Sequence, residues 1–235
     1  MSQNMGEAVE SVESRDPGRR RRIVPIVSGA ILISIVIMAF WPHSWLPHDP
    51  TQIEPALRFE APSWMEGGAS EYWLGTDSLG RDIFSQMIAG ARASLIIVVG
   101  AAFLSLIIGV VAGLVAGHFG GRVDSLIMRL VDVQLAFPVL VIIIAVVAVF
   151  GPSIRNLLLV LALASWATYA RLVRGLVLSL KEEEFIDAAW AAGASNVAIL
   201  FRHYLPNVAT SIVIFTTFEL ARLLLVEAAL SFLGL

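Results

Sequence analysis

Across 235 residues the composition is 57% hydrophobic and only 15% charged, with a mean hydropathy of +0.81 and a formal net charge of −3. A soluble chain is usually about 45–50% apolar and about 25% charged, so these values exclude a disordered tail, a collagen-like chain and an ordinary soluble enzyme, and point to a polytopic membrane protein. The absence of cysteine removes any disulfide framework, thiolate metal site or cysteine nucleophile, and so mild a charge carries no nucleic-acid footprint.

The chain opens with a basic tail, 1–22, holding Arg15, Arg19, Arg20, Arg21 and Arg22. The apolar run 23–41 follows. It exceeds the core of a signal peptide, which is about 7–15 residues, and no A-x-A site follows it, so it reads as a retained first membrane helix. The segment 42–92 is rich in Pro, Gly and acidic side chains and reads as an extracytoplasmic loop. It leads into a short interfacial helix in which Ile83, Phe84, Met87 and Ile88 recur at helical spacing. Asp77 or Ser78 is the expected cap of that helix, and Asp82 suits its positive end.

The remainder, 93–235, reads as the core. A bilayer about 30 Å thick needs about 20 apolar residues as helix. The second span, 93–117, has no charge and carries Gly109, Gly113 and Gly117 as two consecutive G-x-x-x-G steps, a stripe for close helix packing within the chain or at a dimer seam. The third span, 133–150, contains Pro138 and is expected to kink there. The fourth runs over 154–169, and the fifth begins near 208 and continues to 235. Glu219, Arg222 and Glu227 stand inside the fifth span. Charge within a bilayer is costly, so they read as a lining of a translocation path or as a neutralised pair joining helices, with Glu227 near the outer surface.

Lys and Arg set the orientation. With the tail in the cytoplasm, eleven positive residues lie inside, including Arg122, Arg129, Arg171, Arg174, Lys181 and Arg202. Four lie outside, namely Arg58, Arg81, Arg92 and Arg155. The N-terminus is therefore expected to be cytoplasmic. No catalytic, cofactor or metal constellation is read. There is no G-x-x-x-x-G-K-[ST], no H-E-x-x-H and no G-x-S-x-G, and His43, His48, His118 and His203 are scattered without ligand spacing.

The inner loop 181–207 is long, alanine-rich and helical in propensity. Gly193 is expected to divide it into two short helices, with Ser195 or Asn196 capping the second and Pro206 closing it. By composition alone, a solvated loop and a docking element are equally open readings.

Asp187-Ala188-Ala189, then Gly193, then Leu205-Pro206 resembles the E-A-A-x3-G-x9-I-x-L-P loop of ABC-importer permeases. Asp187 stands at the Glu position and His203 at the Ile position. The stretch 74–82, Leu-Gly-Thr-Asp-Ser-Leu-Gly-Arg-Asp, resembles the signature of the dipeptide, oligopeptide and nickel branch. So do Gly121-Arg122-Val123-Asp124 and the final Ser-Phe-Leu-Gly-Leu of 231–235. The likeness runs from about residue 23 to the end and is to the C-type permease subunit.

This resemblance implies an all-α transmembrane bundle and a permease subunit in the inner membrane that is not itself an ATPase. The implied partners are a second permease subunit, two cytoplasmic ATPase subunits docked on the inner loop, an extracytoplasmic substrate-binding protein and the lipid bilayer, with no nucleic acid. Residues 187–199 would sit in the ATPase groove, and Pro206 would mark re-entry to the membrane. Peptides are the expected cargo, with nickel or another small solute as the alternative. The family usually has six spans and five are read here, so the chain is expected to be truncated at its C-terminus. Two other classes stay open, a secondary transporter or channel and a non-transporting membrane anchor; the lack of an internal repeat counts against the first.

Overall fold

The computed structural model describes residues 17–42 and 46–232, with side chains from residue 25 onward. The side chains of the basic tail, His43 and the last three residues of the terminal motif lie outside the described residues. The helices are α1 (Pro17–Ala39), α2 (Ile83–Phe119), α3 (Gly121–Ala136), α4 (Val139–Phe150), α5 (Ile154–Leu180), α6 (Glu184–Ala191) and α7 (Asn196–Phe232). Among the described residues the only β feature is an isolated antiparallel bridge between Thr76 and Asp82. The helical bundle expected from composition is therefore present.

Two compact units divide at Arg92 and Ala93. In the first, the stretch 74–82 builds a tight turn. The Asp77 carboxylate accepts hydrogen bonds from the backbone N–H of Leu79 at 2.8 Å and of Arg81 at 3.0 Å, and from Arg81 Nε at 2.8 Å. Gly80 has φ +78°, and a Cβ there would run into the Glu54 backbone, so only glycine fits. Thr76 Oγ1 donates to the Leu57 carbonyl and accepts from Glu60 N–H at 2.9 Å. Asp82, rather than Asp77 or Ser78, caps α2: its Oδ2 accepts from Ser85 N–H at 3.1 Å and Ser85 Oγ at 2.6 Å. The repeated Gly and Asp of this stretch are thus the residues a compact turn and a helix start require.

Burial pushes the Asp77 carboxyl up, but hydrogen bonds from Arg81, Leu79 and Gln86 outweigh it and hold it well below the usual carboxylate range. A depressed folded value stabilises the native form fully above the usual carboxylate range, and that contribution disappears as pH falls beneath it. Asp77→Asn is expected to loosen this segment at neutral pH, seen as faster proteolysis near 55–82. The wild-type chain should loosen in the same way only in strong acid.

Three helices are long and apolar enough to cross a membrane by length and composition: Ile83–Phe119, Ile154–Leu180 and Asn196–Phe232. Four sequence expectations are corrected. The interfacial helix is not separate, because helix continues unbroken from Ile83 to Phe119. The third span is bent at Pro138 as expected, with Gly121–Ala136 and Val139–Phe150 meeting at 83°, but its first arm begins at Gly121 rather than near 133. Pro138 lies at the break, where its missing N–H is needed least. The fourth span does not stop at 169 but reaches Leu180, so Arg171 and Arg174 are helical. Their charges are matched from α3, with Arg174 gripping Asp124 at 2.5 and 2.6 Å and Arg171 meeting Asp132 at 2.5 Å. The fifth span begins at Asn196, well before 208. The first expected span is helical as α1, but its described apolar part, Pro25–Ala39, is shorter than the three spans just named.

Lipid offers no hydrophobic drive between helices, so close packing holds the second unit together. One buried cluster joins α2 (Ile97, Val98), α4 (Ile143, Val147), α5 (Leu161) and α7 (Leu223). Gly109, Gly113 and Gly117 of α2 lie directly against α5. A Cβ at Gly113 would stand 2.6 Å from the Ala170 carbonyl oxygen, and one at Gly117 would stand 2.8 Å from Val177 Cβ. Within the chain, then, the stripe brings α2 and α5 together.

Candidate functional site

Lys181 through Asn207 forms a helical hairpin whose first arm is the short α6, as expected, but whose second arm is the start of the long α7 rather than a separate short helix; its turn follows from the alanine–glycine spacing. Gly193, at φ +83°, is the left-handed residue just past α6. Its N–H donates to the Trp190 carbonyl at 2.9 Å, and Ala194 N–H donates to the Ala189 carbonyl at 3.1 Å. These two bonds are a Schellman motif, which fixes a glycine four residues after Ala189. Ser195 caps the second helix, accepting from Ala198 N–H at 3.3 Å through Oγ.

The hairpin is two-sided. Asp187, Ala188, Trp190, Gly193 and Val197 are exposed, with Asp187 and Glu184 in the first turn of α6, where negative charge suits the helix dipole. Ile186, Ile199, Leu200 and Tyr204 form its buried base. They pack with Val110 and Leu114 of α2, Val173 and Val177 of α5, and Val208 and Ile212. Two expectations change here. Ile199 is fully buried, so 187–199 is not one continuous outer surface. Pro206 does not end a helix. Residues Ile199–Tyr204 form a π-turn, in which Leu205 N–H reaches back to the Leu200 carbonyl, and helix runs on through Pro206 to Phe232. The widened turn accommodates a proline that would otherwise clash with the carbonyl four residues back. His203 and Leu205 are half-buried beside it and Pro206 is exposed.

A second constellation lies between α5 and α7. Glu219 is 4% exposed and pairs with Arg222, whose Nε lies 2.9 Å from Oε2 and Nη2 2.5 Å from Oε1. Arg222 Nη2 also donates to Ser165 Oγ at 2.9 Å. One helical turn away, the Tyr169 hydroxyl donates to Thr216 Oγ1 at 3.2 Å. Glu227 is partnered by Ser94 Oγ, 3.1 Å from each carboxylate oxygen. The structure thus brings Glu219 and Arg222 together and sets Glu227 apart. Ser165 and Tyr169 were not singled out by sequence. A small polar residue inside an apolar span is their only signal, and many such residues serve packing.

A long apolar bundle with an exposed helical hairpin rooted in its core, and a charge pair closed upon itself within a span, is the build of a multi-pass membrane transport component. The family described as Binding-protein-dependent transport system inner membrane component matches residues 109–235. The chain belongs to this family of ABC-importer permeases, a multi-pass inner-membrane class. It is 39% identical over 215 residues to the glutathione transport system permease protein GsiD of Pectobacterium atrosepticum, covering 92% of this chain and 70% of that one. The dipeptide transport system permease protein DppC of Alkalihalophilus pseudofirmus is 39% identical over 216 residues, covering 92% and 69%. The nickel transport system permease protein NikC of Escherichia coli K12 is 39% identical over 206 residues, covering 88% and 71%.

Proposed function

We propose that this chain is the half of a peptide importer that receives force from ATPase subunits through the 181–207 hairpin. The observation that carries this reading is the hairpin's division into an exposed tip and a base packed on α2, α5 and α7. A lever needs both, and a merely solvated loop would have no reason to bury Ile186, Ile199 and Tyr204. In this reading the N-terminus and hairpin are cytoplasmic, an extracytoplasmic binding protein delivers cargo, and a second permease subunit completes the pathway. Asp187, Ala188 and Gly193 meet the ATPase. Closure of the ATPase pair displaces the hairpin, and the shared core passes that displacement to α2 and α5. Glu219 and Arg222, paired to each other and to Ser165, hold α5 against α7 rather than bind cargo.

Peptide cargo is supported by relatives named for glutathione and dipeptide transport. Nickel is the second reading, since the nickel permease is equally identical. Uptake of labelled dialanine and of radioactive Ni²⁺ by the reconstituted transporter separates them: dialanine uptake is expected, and nickel uptake alone would overturn the peptide reading.

The docking role is tested at Gly193. Space around it is open, so the left-handed backbone is the entire penalty for a side chain, roughly 1–2 kcal/mol. Gly193→Val is expected to lower co-purification of the ATPase subunits by roughly tenfold, with membrane levels of the chain unchanged. Undiminished co-purification would remove the hairpin from the interface.

A further inference from the structure

His118 lies in the last turn of α2 and is 7% exposed. Parts of the hairpin close on it from several directions. Its Nε2 lies 2.8 Å from Asn196 Oδ1, and Lys181 Nζ donates to its carbonyl at 3.0 Å. Its ring stacks on Trp190 of α6 at 5.9 Å and 21°, and meets Tyr204 of the π-turn edge-on at 5.8 Å and 66°. The neighbouring Phe119 ring completes the enclosure at 4.8 Å. The His118 ring is thus held by both helices of the hairpin and its widened turn, while Lys181 at the start of the hairpin holds its main-chain carbonyl.

Two buried side-chain atoms in this cluster, His118 Nδ1 and the Tyr204 hydroxyl, have no hydrogen-bond partner among the described residues. Native interiors leave few such atoms, and each calls for a physical reason. These two are complementary. With Asn196 accepting through Oδ1, Nε2 holds the proton and Nδ1 is a bare acceptor. With the amide turned over, Nδ1 holds the proton instead. A tyrosine hydroxyl donates and accepts, so it satisfies either state.

We propose that His118 is a positioning residue that joins the hairpin to α2, and that the Tyr204 hydroxyl and His118 Nδ1, apart here, hydrogen-bond to each other when the hairpin is displaced. The inference rests on the lever reading of the hairpin. A packed joint transmits motion when it has two discrete arrangements rather than a continuum. One arrangement is this structure, in which Trp190 and Asn196 hold the imidazole and leave two polar atoms unpaired. The other pairs those atoms. The joint then carries α2 along with the hairpin, and through the glycine stripe α2 carries α5.

Because the chain has no cysteine, Val111→Cys, exposed on α2, gives a single labelling site. A fluorophore there is read in the transporter assembled with its ATPase subunits, with and without the non-hydrolysable ATP analogue AMP-PNP. Tyr204→Phe is expected to keep ATPase co-purification and thermal stability at or above wild type, since the hydroxyl it removes has no partner at rest. It is expected to shrink the nucleotide-dependent signal by roughly tenfold. His118→Gln, whose amide can both donate and accept, should retain more of the signal than His118→Ala. A tyrosine that only fills space predicts an undiminished signal in Tyr204→Phe, and that result overturns the proposal. Failure of the wild-type chain to hold any ATPase would instead remove the lever reading beneath it.

Discussion

Replacing Gly113 with leucine is expected to prevent accumulation of the folded chain. The new Cβ alone would lie 2.6 Å from the Ala170 carbonyl oxygen and 2.8 Å from Val173 Cβ, and it would approach Arg174 N at 3.0 Å. Two of these three are backbone atoms of a neighbouring helix and cannot swing aside. Inserting bulk into a packed core costs about 1–3 kcal/mol even where side chains can adjust. Here α5 must move as a body, so a loss of about 3 kcal/mol or more is expected, a large part of a total stability of about 5–15 kcal/mol. Membrane levels and thermal unfolding in detergent measure it. Gly175→Leu is the control: nothing lies within 4 Å of a Cβ there, and leucine is the better helix former. The control should unfold at or slightly above the wild-type temperature.

Arg222→Ala is expected to cost about 3 kcal/mol, because it strands the Glu219 carboxylate at 4% exposure. Ser165 loses its partner in the same step. The penalty belongs to the unpaired charge rather than to the pair, so removing both charges should restore most of the stability. The double variant Glu219→Gln with Arg222→Met is expected to unfold within about 1 kcal/mol of wild type, which a double-mutant cycle in detergent would measure. Transport separates the two roles considered for these residues. For a clamp between α5 and α7, uptake should recover along with stability. For a cargo-binding lining, stability would return and uptake would not.

The parts of this chain that sequence made legible are those governed by local chemistry. The four-residue step from Ala189 to Gly193 is a helix-stop geometry and reads directly as one. Pro138 reads as a break, whereas the cap of α2 is expected at Asp77 or Ser78 and is Asp82. The errors came where distant residues decide. Arg171 and Arg174 look like the end of a membrane span until Asp132 and Asp124 of α3 are seen to neutralise them. The division read at 92/93 is also where the two compact units part, but the helix read as a separate interfacial piece runs through it from Ile83 to Phe119. Pro206 looks like a stop until the widened turn before it is known. His118 gave no signal at all: one histidine after a glycine stripe carries no spacing, and its meaning lies in Asn196, Trp190 and Tyr204 far along the chain.

The π-turn at Ile199–Tyr204 also sets the azimuth of everything after it. An α-helix advances about 100° per residue, and a π-turn holds the phase of the chain back by the equivalent of an added residue. The 28 residues of Leu205–Phe232 therefore present Thr216, Glu219 and Leu223 toward α5 because of a turn several layers away. Shortening that turn by one residue would leave composition and length almost untouched. It would rotate the whole downstream rod by about a quarter of a revolution, turning its buried carboxylate toward lipid.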